Sequence, residues 1–263
     1  MTRLRLGAVS YLNTKPLVYG LDPAAFDIRF DVPAKCATLL HEGKVDLGLI
    51  PAIEYLRGTG YHIVPDVSIA SDGDVATVAL FTRKAIGGVK SIALDLSSRT
   101  SVALTRVLCA QHWRIDPVFT PSEPDLEAML KRADAALVIG DPAFDINPGQ
   151  RGVTKIDLGA EWKSMTGLPF VYAMWVGRAD AASADQCRAL QQARDRGVAH
   201  LPQIARAVGG GDGDLERRSF LYLRDNLKFG LGDEEAAGLR RFHELAAGMS
   251  LVPALQPLRF YGQ

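Results

Sequence analysis

The sequence has no net charge, because 30 lysines and arginines are balanced by 30 aspartates and glutamates. Proteins that bind nucleic acid or anionic membranes usually carry a clear excess of basic residues. We therefore expect no nucleic-acid partner and no membrane association, and any anionic ligand must be bound at a local site.

Cysteine is scarce, and the common metal and nucleotide motifs are missing. Cys36, Cys109 and Cys187 lie far apart and form no Cys-x-x-Cys pair. The five histidines do not cluster, and there is no His-Glu-x-x-His, Gly-x-Ser-x-Gly, phosphate-loop or Gly-x-Gly-x-x-Gly motif. The pattern predicts no metal site and no disulfide framework, and it fits a reducing compartment.

Long apolar runs are missing as well. No run reaches the ~18 residues that cross a bilayer. The first residues, MTRLRLGAVSYL, read as an amphipathic strand and not as the apolar core of an export signal. We therefore expect a cytoplasmic location.

The sequence does contain a repeated alternation of strand and helix patterns, typical of an α/β fold. LLHEGKVDLGLIP (39–51) and MLKRADAALVIGDP (129–142) each run from the end of an amphipathic helix, through an aspartate, into a buried strand and then to a proline. The chain has 263 residues, which is long enough for two domains. We predict two similar lobes.

Two apolar, β-prone segments flank the second lobe and are predicted to connect it to the first, at 75–86 and 169–178. The predicted lobes are therefore 1–80 with 178–263, and 81–177. Residues 179–263 read as nearly all helix and are expected to return to the first lobe. A ligand cleft should lie between the lobes, beyond the carboxyl ends of the parallel strands.

Two strand-to-helix turns carry many polar side chains at that edge. SYLNTKPL (10–17) presents Tyr11 and Asn13 before a helix expected to begin at Pro16, and Lys15 reads as a solvated side chain. Asn13 can either cap that helix or bind a ligand with its amide, which donates and accepts hydrogen bonds without repelling an anion.

The segment DLSSRTS (95–101) places four hydroxyl groups and a guanidinium at the start of a predicted helix. One serine suffices as an N-cap, so the others favour an anion site at the helix N-terminus. The candidate residues are Ser97, Ser98, Arg99, Thr100 and Ser101. A third segment, MTGLP (165–169), is predicted to form an apolar cleft wall that includes Thr166 and Gly167.

Five segments in this order resemble the chorismate dehydratases of the futalosine route to menaquinone. They are SYLNTKPL, SDGDVATVALFTR, DLSSRTS, IGDPAF and DLGAEWKSMTGLPFVYAMW. The resemblance implies a fold like the type II periplasmic binding proteins. It also implies loss of water from chorismate to give 3-[(1-carboxyvinyl)oxy]benzoate, with a small-molecule substrate and no metal or organic cofactor.

The resemblance also implies site residues. Asn13 corresponds to the asparagine of the family's Tyr-Leu-Asn motif and is the expected catalytic contact, with Tyr11 beside it. The DLSSRTS hydroxyls and Arg99 would bind one carboxylate, and Ser71 and Thr77 the other. Asp141, an acid that would face a dianion, is expected instead to cap its own loop.

Two alternatives stay open. The related 1,4-dihydroxy-6-naphthoate synthase shares the fold, but the resemblance implies a histidine base for that family, and no histidine falls in a loop predicted at the cleft. A non-catalytic cytoplasmic protein that binds a small anion would also fit the composition and fold.

Overall fold

The computed structural model describes residues 3–263, and its strands form two five-stranded sheets. The first sheet has the order β2-β1-β3-β10-β4, with β1 at Leu4–Val9, β2 at Phe26–Asp31, β3 at Leu47–Pro51, β4 at Tyr61–Ser71 and β10 at Phe170–Arg178. The second has the order β7-β6-β8-β5-β9, with β5 at Val78–Thr82, β6 at Ser91–Asp95, β7 at Val118–Ser122, β8 at Ala135–Ile139 and β9 at Thr154–Asp157.

The two sheets have the same arrangement, so the prediction of two similar lobes is confirmed. In the first, β1 pairs in parallel with β2 and β3, and β10 runs antiparallel between β3 and β4. In the second, β6 pairs in parallel with β7 and β8, and β5 runs antiparallel between β8 and β9. The chain passes between the sheets after β4 and before β10. The lobe boundaries given above stay a prediction.

Helices cover the sheets and form the tail. The α-helices of the two lobes are α1 at Pro33–His41, α2 at Arg99–Leu108, α3 at Leu126–Leu130, α4 at Gly140–Asp145, α5 at Pro148–Arg151 and α6 at Leu158–Thr166. Those of the tail are α7 at Ala184–Ala199, α8 at Leu201–Gly209, α9 at Gly213–Leu221 and α10 at Asp233–Gly248. Short 3₁₀ helices cover Leu12–Val18, Ala52–Arg57 and Ile86–Gly88, and π-helical turns follow α2 at Cys109–Trp113 and α9 at Tyr222–Asn226.

The first turn differs from expectation, because no α-helix begins at Pro16. Pro16 lies inside the 3₁₀ helix Leu12–Val18, which begins with a hydrogen bond from the Thr14 amide to the Tyr11 carbonyl at 3.1 Å. Pro16 has no N–H to donate, so it removes one hydrogen bond from this helix and favours a short turn. The tighter turn keeps Asn13 at the end of β1.

The tail returns to the first sheet, as expected. Lys228 and Phe260 form bridges to Ala70 and Ile63 of β4. In the part of the chain that the structure describes, no helix has the length and apolar character needed to cross a membrane.

Helix α7 supports the first turn from behind, at a glycine. A Cβ atom added to Gly197 would lie 2.1 Å from the Pro16 carbonyl oxygen and 2.5 Å from its Cα. Because this obstacle is backbone, Gly197→Ala must push the turn and the helix apart. We expect a loss of about 1–3 kcal/mol in the free energy of unfolding, measured by chemical denaturation. Gly213→Ala, whose added Cβ meets nothing within 4 Å, is the control and should not lose comparable stability.

A buried histidine in α10 makes stability depend on pH. His243 is 1% exposed, its Nε2 lies 3.1 Å from the Ala52 carbonyl oxygen, and its Nδ1 has no partner in the described residues. Burial lowers the pKa of His243 to about 4. An unfolded histidine titrates near 6.5, so between these values the unfolded state binds more protons and stability falls as pH falls.

The expected cost of full acidification is about 3 kcal/mol from this residue. His243→Gln keeps a donor for the Ala52 carbonyl but removes the titration. Its stability should therefore depend less on pH than that of the natural chain, as measured by urea denaturation at about pH 7 and about pH 4.5. Parallel pH profiles for the two proteins would contradict this assignment.

Candidate active site

A narrow cavity lies between the two lobes, where β1, β3 and β8 end. Its polar lining comes from both lobes and consists of Tyr11, Asn13, Thr77, Ser98, Ser101 and Tyr172. Its apolar lining consists of Val9, Pro33, Pro51, Ile69, Val75, Val78, Ile139, Gly140 and Ala173. The structure thus brings together five of the residues predicted from the sequence, from segments as distant as 11–13 and 98–101.

Asn13 lies in the 3₁₀ turn beside two hydroxyl groups from other parts of the chain. The Thr77 hydroxyl and the Tyr222 phenol are 2.9 Å apart. Burial raises the pKa of Tyr222, while hydrogen bonds from Thr77 and Asn13 act in the opposite direction. A phenol from the tail therefore supports the Thr77 side chain of the site, and sequence reasoning missed it because no local pattern links Tyr222 to the cleft.

Ser98 and Ser101 form a hydroxyl pair at the N-terminus of α2. Ser98 is the N-cap, its Oγ accepts from the Ser101 amide at 3.4 Å, and the two Oγ atoms are 3.1 Å apart. Both side chains line the cavity and are buried. Hydroxyl donors at a helix N-terminus are well placed to bind a carboxylate. Ser98 both caps the helix and lines the cavity.

Every side chain that lines the cavity is neutral at physiological pH. Burial raises the pKa of Tyr11, with further increases from Asp95 and Asp141, although a hydrogen bond with Ser97 lowers it. Burial likewise raises the pKa of Tyr172 well above its ordinary value. Both phenols therefore stay protonated and act as hydrogen-bond donors. In residues 3–263, no histidine, lysine or carboxylate lines the cavity.

Three residues of DLSSRTS make contacts outside the cavity, although they were predicted to bind the ligand. The Arg99 Nη1 donates to Glu54 Oε2 at 2.7 Å. The Thr100 hydroxyl accepts from the Ile53 amide at 3.2 Å, and the Ser97 hydroxyl accepts from the Tyr11 phenol at 3.5 Å. These contacts join the lobes, so in this arrangement the three side chains stabilise closure and do not face a ligand.

Ser71 lies one step behind the cavity wall. Its Oγ donates to the Gly73 carbonyl at 2.9 Å and lies 3.0 Å from the Tyr172 phenol. Tyr172 lines the cavity, whereas Ser71 does not. Tyr172 belongs to the segment DLGAEWKSMTGLPFVYAMW, and the sequence alone assigned it no role.

Thr166 and Gly167 end helix α6 and do not line the cavity. Thr166 Oγ1 donates to the Trp162 carbonyl at 2.9 Å, and Gly167 caps the helix with a φ of +72°. MTGLP was predicted to form a wall of the cleft, but in the structure this segment contains the C-terminal end of α6. The apolar wall comes instead from the strand ends and from Pro33 and Pro51.

Asp141 does not cap its own loop, so that expectation is wrong. Its Oδ1 accepts from the Leu12 amide in the other lobe at 3.1 Å, and α4 has no side-chain cap. Burial raises the pKa of Asp141, while the bond from Leu12 and the charge of Lys15 lower it. Lys15 itself is exposed, as expected.

A strained residue stands next to Thr77 where the chain leaves β4. Ala76 has a φ of +65°, which is costly for a residue with a Cβ. Its amide donates to Asp157 Oδ2 at 2.7 Å, and the Lys155 ammonium donates to its carbonyl. Asp157 also caps α6. This clamp sets the backbone that presents Thr77 to the cavity.

The lobes are close together in this structure. The space open to the centre of a water molecule within the cavity is about 40 Å³, whereas small-molecule sites usually enclose about 300–1,000 Å³. A ligand with a six-membered ring therefore requires the lobes to part. Among residues 3–263, no group of three or more His, Cys, Asp or Glu side chains is arranged to hold a metal ion.

Comparison with known proteins identifies the family. The family model described as menaquinone biosynthesis matches residues 4–248. The chain belongs to this family. The chorismate dehydratase of Thermus thermophilus is 31% identical over 271 residues, covering 96% of this chain and 98% of that protein. The chorismate dehydratase of Campylobacter jejuni is 29% identical over 166 residues, covering 62% of this chain and 58% of that protein.

Solved structures show the same fold at low identity. Protein AF1704 from Archaeoglobus fulgidus has a TM-score of 0.75 with 17% identity and covers 95% of this chain and 98% of its own. The alkanesulfonate-binding protein SsuA from Xanthomonas axonopodis pv. citri has a TM-score of 0.65 with 16% identity. The match covers 96% of this chain and 95% of that protein. The chain therefore has the predicted fold of the periplasmic binding proteins, with two α/β lobes.

Proposed function

We propose that the protein is a chorismate dehydratase, a hydro-lyase that converts chorismate to 3-[(1-carboxyvinyl)oxy]benzoate in menaquinone biosynthesis. The observation that carries the proposal is the neutral cavity between the lobes, with Asn13 at one end of a parallel strand and the Ser98–Ser101 pair at a helix N-terminus. Family membership and the Thermus thermophilus relative support it.

The reaction removes the ring hydroxyl and the hydrogen on the neighbouring C3 of a cyclohexadiene. The C3–H electron pair becomes a new C=C bond, the carbon–oxygen bond breaks, and the ring becomes aromatic. Because aromatisation favours the product, the protein's tasks are to orient two carboxylates, assist the leaving hydroxyl and provide a route for one proton.

The proposed roles follow from the two sides of the cavity. The Ser98 and Ser101 hydroxyls, with the N-terminus of α2, bind one carboxylate. Thr77 and Tyr172 bind the other, with the phenol turning its one proton from the Ser71 hydroxyl to the carboxylate. Asn13 faces the ring between them, and its amide N–H donates to the departing hydroxyl group.

The proton acceptor is proposed to be the substrate's own enolpyruvyl carboxylate. The cavity lining supports this, because it presents no basic side chain and its two phenols remain protonated. The proton passes from C3 to that carboxylate and then to the departing hydroxide, giving water. The same lining favours the dehydratase over the naphthoate synthase, for which a histidine base is expected.

The test is to mix the purified protein with chorismate in the absence of added metal and to follow products by chromatography and mass spectrometry. A product lighter by one water, with the ultraviolet spectrum of a substituted benzoate, is the expected result. Unchanged chorismate with an increased melting temperature would instead support a small-anion-binding protein, and unchanged chorismate without stabilisation would overturn both readings.

A further inference from the structure

A second pocket opens on a different face of helix α2 from the cleft. It encloses about 300 Å³ and is lined by Ala34, Arg57, Leu96, Arg99, Val102, Ala103, Arg106 and Leu251. We call it the arginine pocket, and it shares no lining residue with the cleft. Its volume falls in the range of small-molecule sites.

One face of α2 forms the pocket while the other forms the cleft. Residues 99, 102, 103 and 106 recur with the spacing of a single helical face. Ser98 and Ser101 point instead into the cleft. The helix therefore separates two recesses, and the arginine pocket is completed by Arg57 and Leu251 from segments of the first lobe.

The pocket has an excess of positive charge. Among residues 3–263, Glu54 is the single carboxylate within 4.0 Å of its arginines, and it is shared by Arg57 and Arg99. Arg106 stacks on the Phe119 ring, with its guanidinium carbon 4.3 Å from the ring centroid. Within residues 3–263, no carboxylate lies within 4.0 Å of the Arg106 guanidinium. Its planar donor edge remains available for a bidentate anion.

The rest of the lining is apolar and partly open to solvent. Leu96 is 51% exposed at the rim, and Ala34, Val102, Ala103 and Leu251 complete the surface. A strongly hydrated inorganic anion would leave this surface in contact with water. An anion with an apolar body would cover it and gain about 25 cal/mol for each Å² removed from water.

We propose that the arginine pocket is a second ligand site, which takes an organic carboxylate with a small apolar or aromatic body. The carboxylate pairs with Arg106 and the body packs on Leu96 and Val102. The proposal is independent of the dehydratase function, because none of the residues that line the pocket lines the cleft.

The test is calorimetric titration with 4-ethylbenzoate as the probe. The natural chain should bind it at millimolar concentration or below, and Arg106→Gln should weaken binding by at least about tenfold. Two matched controls should bind like the natural chain: Arg240→Gln, an exposed arginine outside the pocket, and Ser101→Ala, which removes a hydroxyl proposed to bind a carboxylate in the cleft.

Leu96→Gln provides a second variant that does not depend on a buried side chain, and it should also weaken binding. Inorganic phosphate should bind more weakly than the probe. Equal binding by Arg106→Gln and the natural chain, loss of binding in Ser101→Ala, preference for phosphate, or no binding to the natural chain would each overturn the proposal.

Discussion

Replacing Asn13 with alanine should lower kcat for chorismate by about 10²–10³-fold, with a much smaller change in KM. The amide is proposed to act on the hydroxyl group as it leaves, so its contribution is largest in the transition state. The loss of one such donor in a water-excluded site usually has an effect of this size. Initial rates followed by chromatography provide the measurement.

A matched variant on the other side of the cavity separates binding from chemistry. Ser101→Ala removes one hydroxyl that is proposed to bind a carboxylate in both the ground state and the transition state. It should raise KM by about tenfold with little change in kcat. An unchanged kcat in Asn13→Ala, with its melting temperature preserved, would remove Asn13 from the mechanism.

The lobes could be predicted from sequence because their signal is local. The segments 39–51 and 129–142 contain β3 and β8, which take equivalent places in the two sheets. Each segment carries its own helix-to-strand pattern, and such a pattern needs no knowledge of distant contacts.

The site could be predicted only in part, because a helix directs neighbouring residues to different faces. Treating DLSSRTS as one cluster placed Arg99 with Ser98 and Ser101, although each residue turns the helix by about 100°. With Ser98 as the N-cap, the side chains of Ser98 and Ser101 line the cleft, whereas that of Arg99 lies on another face of the helix. Tyr222 and the bond from Leu12 to Asp141 depend on long-range packing, which no local pattern reveals.

Glu54 is the centre of a buried charge cluster that includes Arg99 of the second lobe. Its side chain is 1% exposed, and it accepts from Arg99 at 2.7 Å, pairs with Arg57 and lies 3.0 Å from His41 Nε2. Burial alone would raise its pKa, but His41, Arg57 and Arg99 together lower it below the ordinary value. The carboxylate is therefore ionised and stabilising in the folded protein.

Glu54→Gln should lower the free energy of unfolding at neutral pH by an amount near the lower end of ~3–5 kcal/mol. Removing one partner of a buried ion pair leaves charges without compensation. The side chains of Arg57 and Arg99 are 36% and 37% exposed, so in the variant water solvates part of their positive charge. Glu42→Gln makes the same change in an exposed pair with Lys44, and its stability should stay close to that of the natural chain.

The pH dependence distinguishes loss of the charge cluster from a general packing defect. Because the folded pKa of Glu54 is lowered, its stabilisation is present above the unfolded pKa and is lost as pH falls through the folded value. The difference in stability between the natural chain and Glu54→Gln should therefore shrink on acidification. A difference that stays constant from neutral to acidic pH would mean that the variant disturbs packing and that the ion pairs contribute little to joining the lobes.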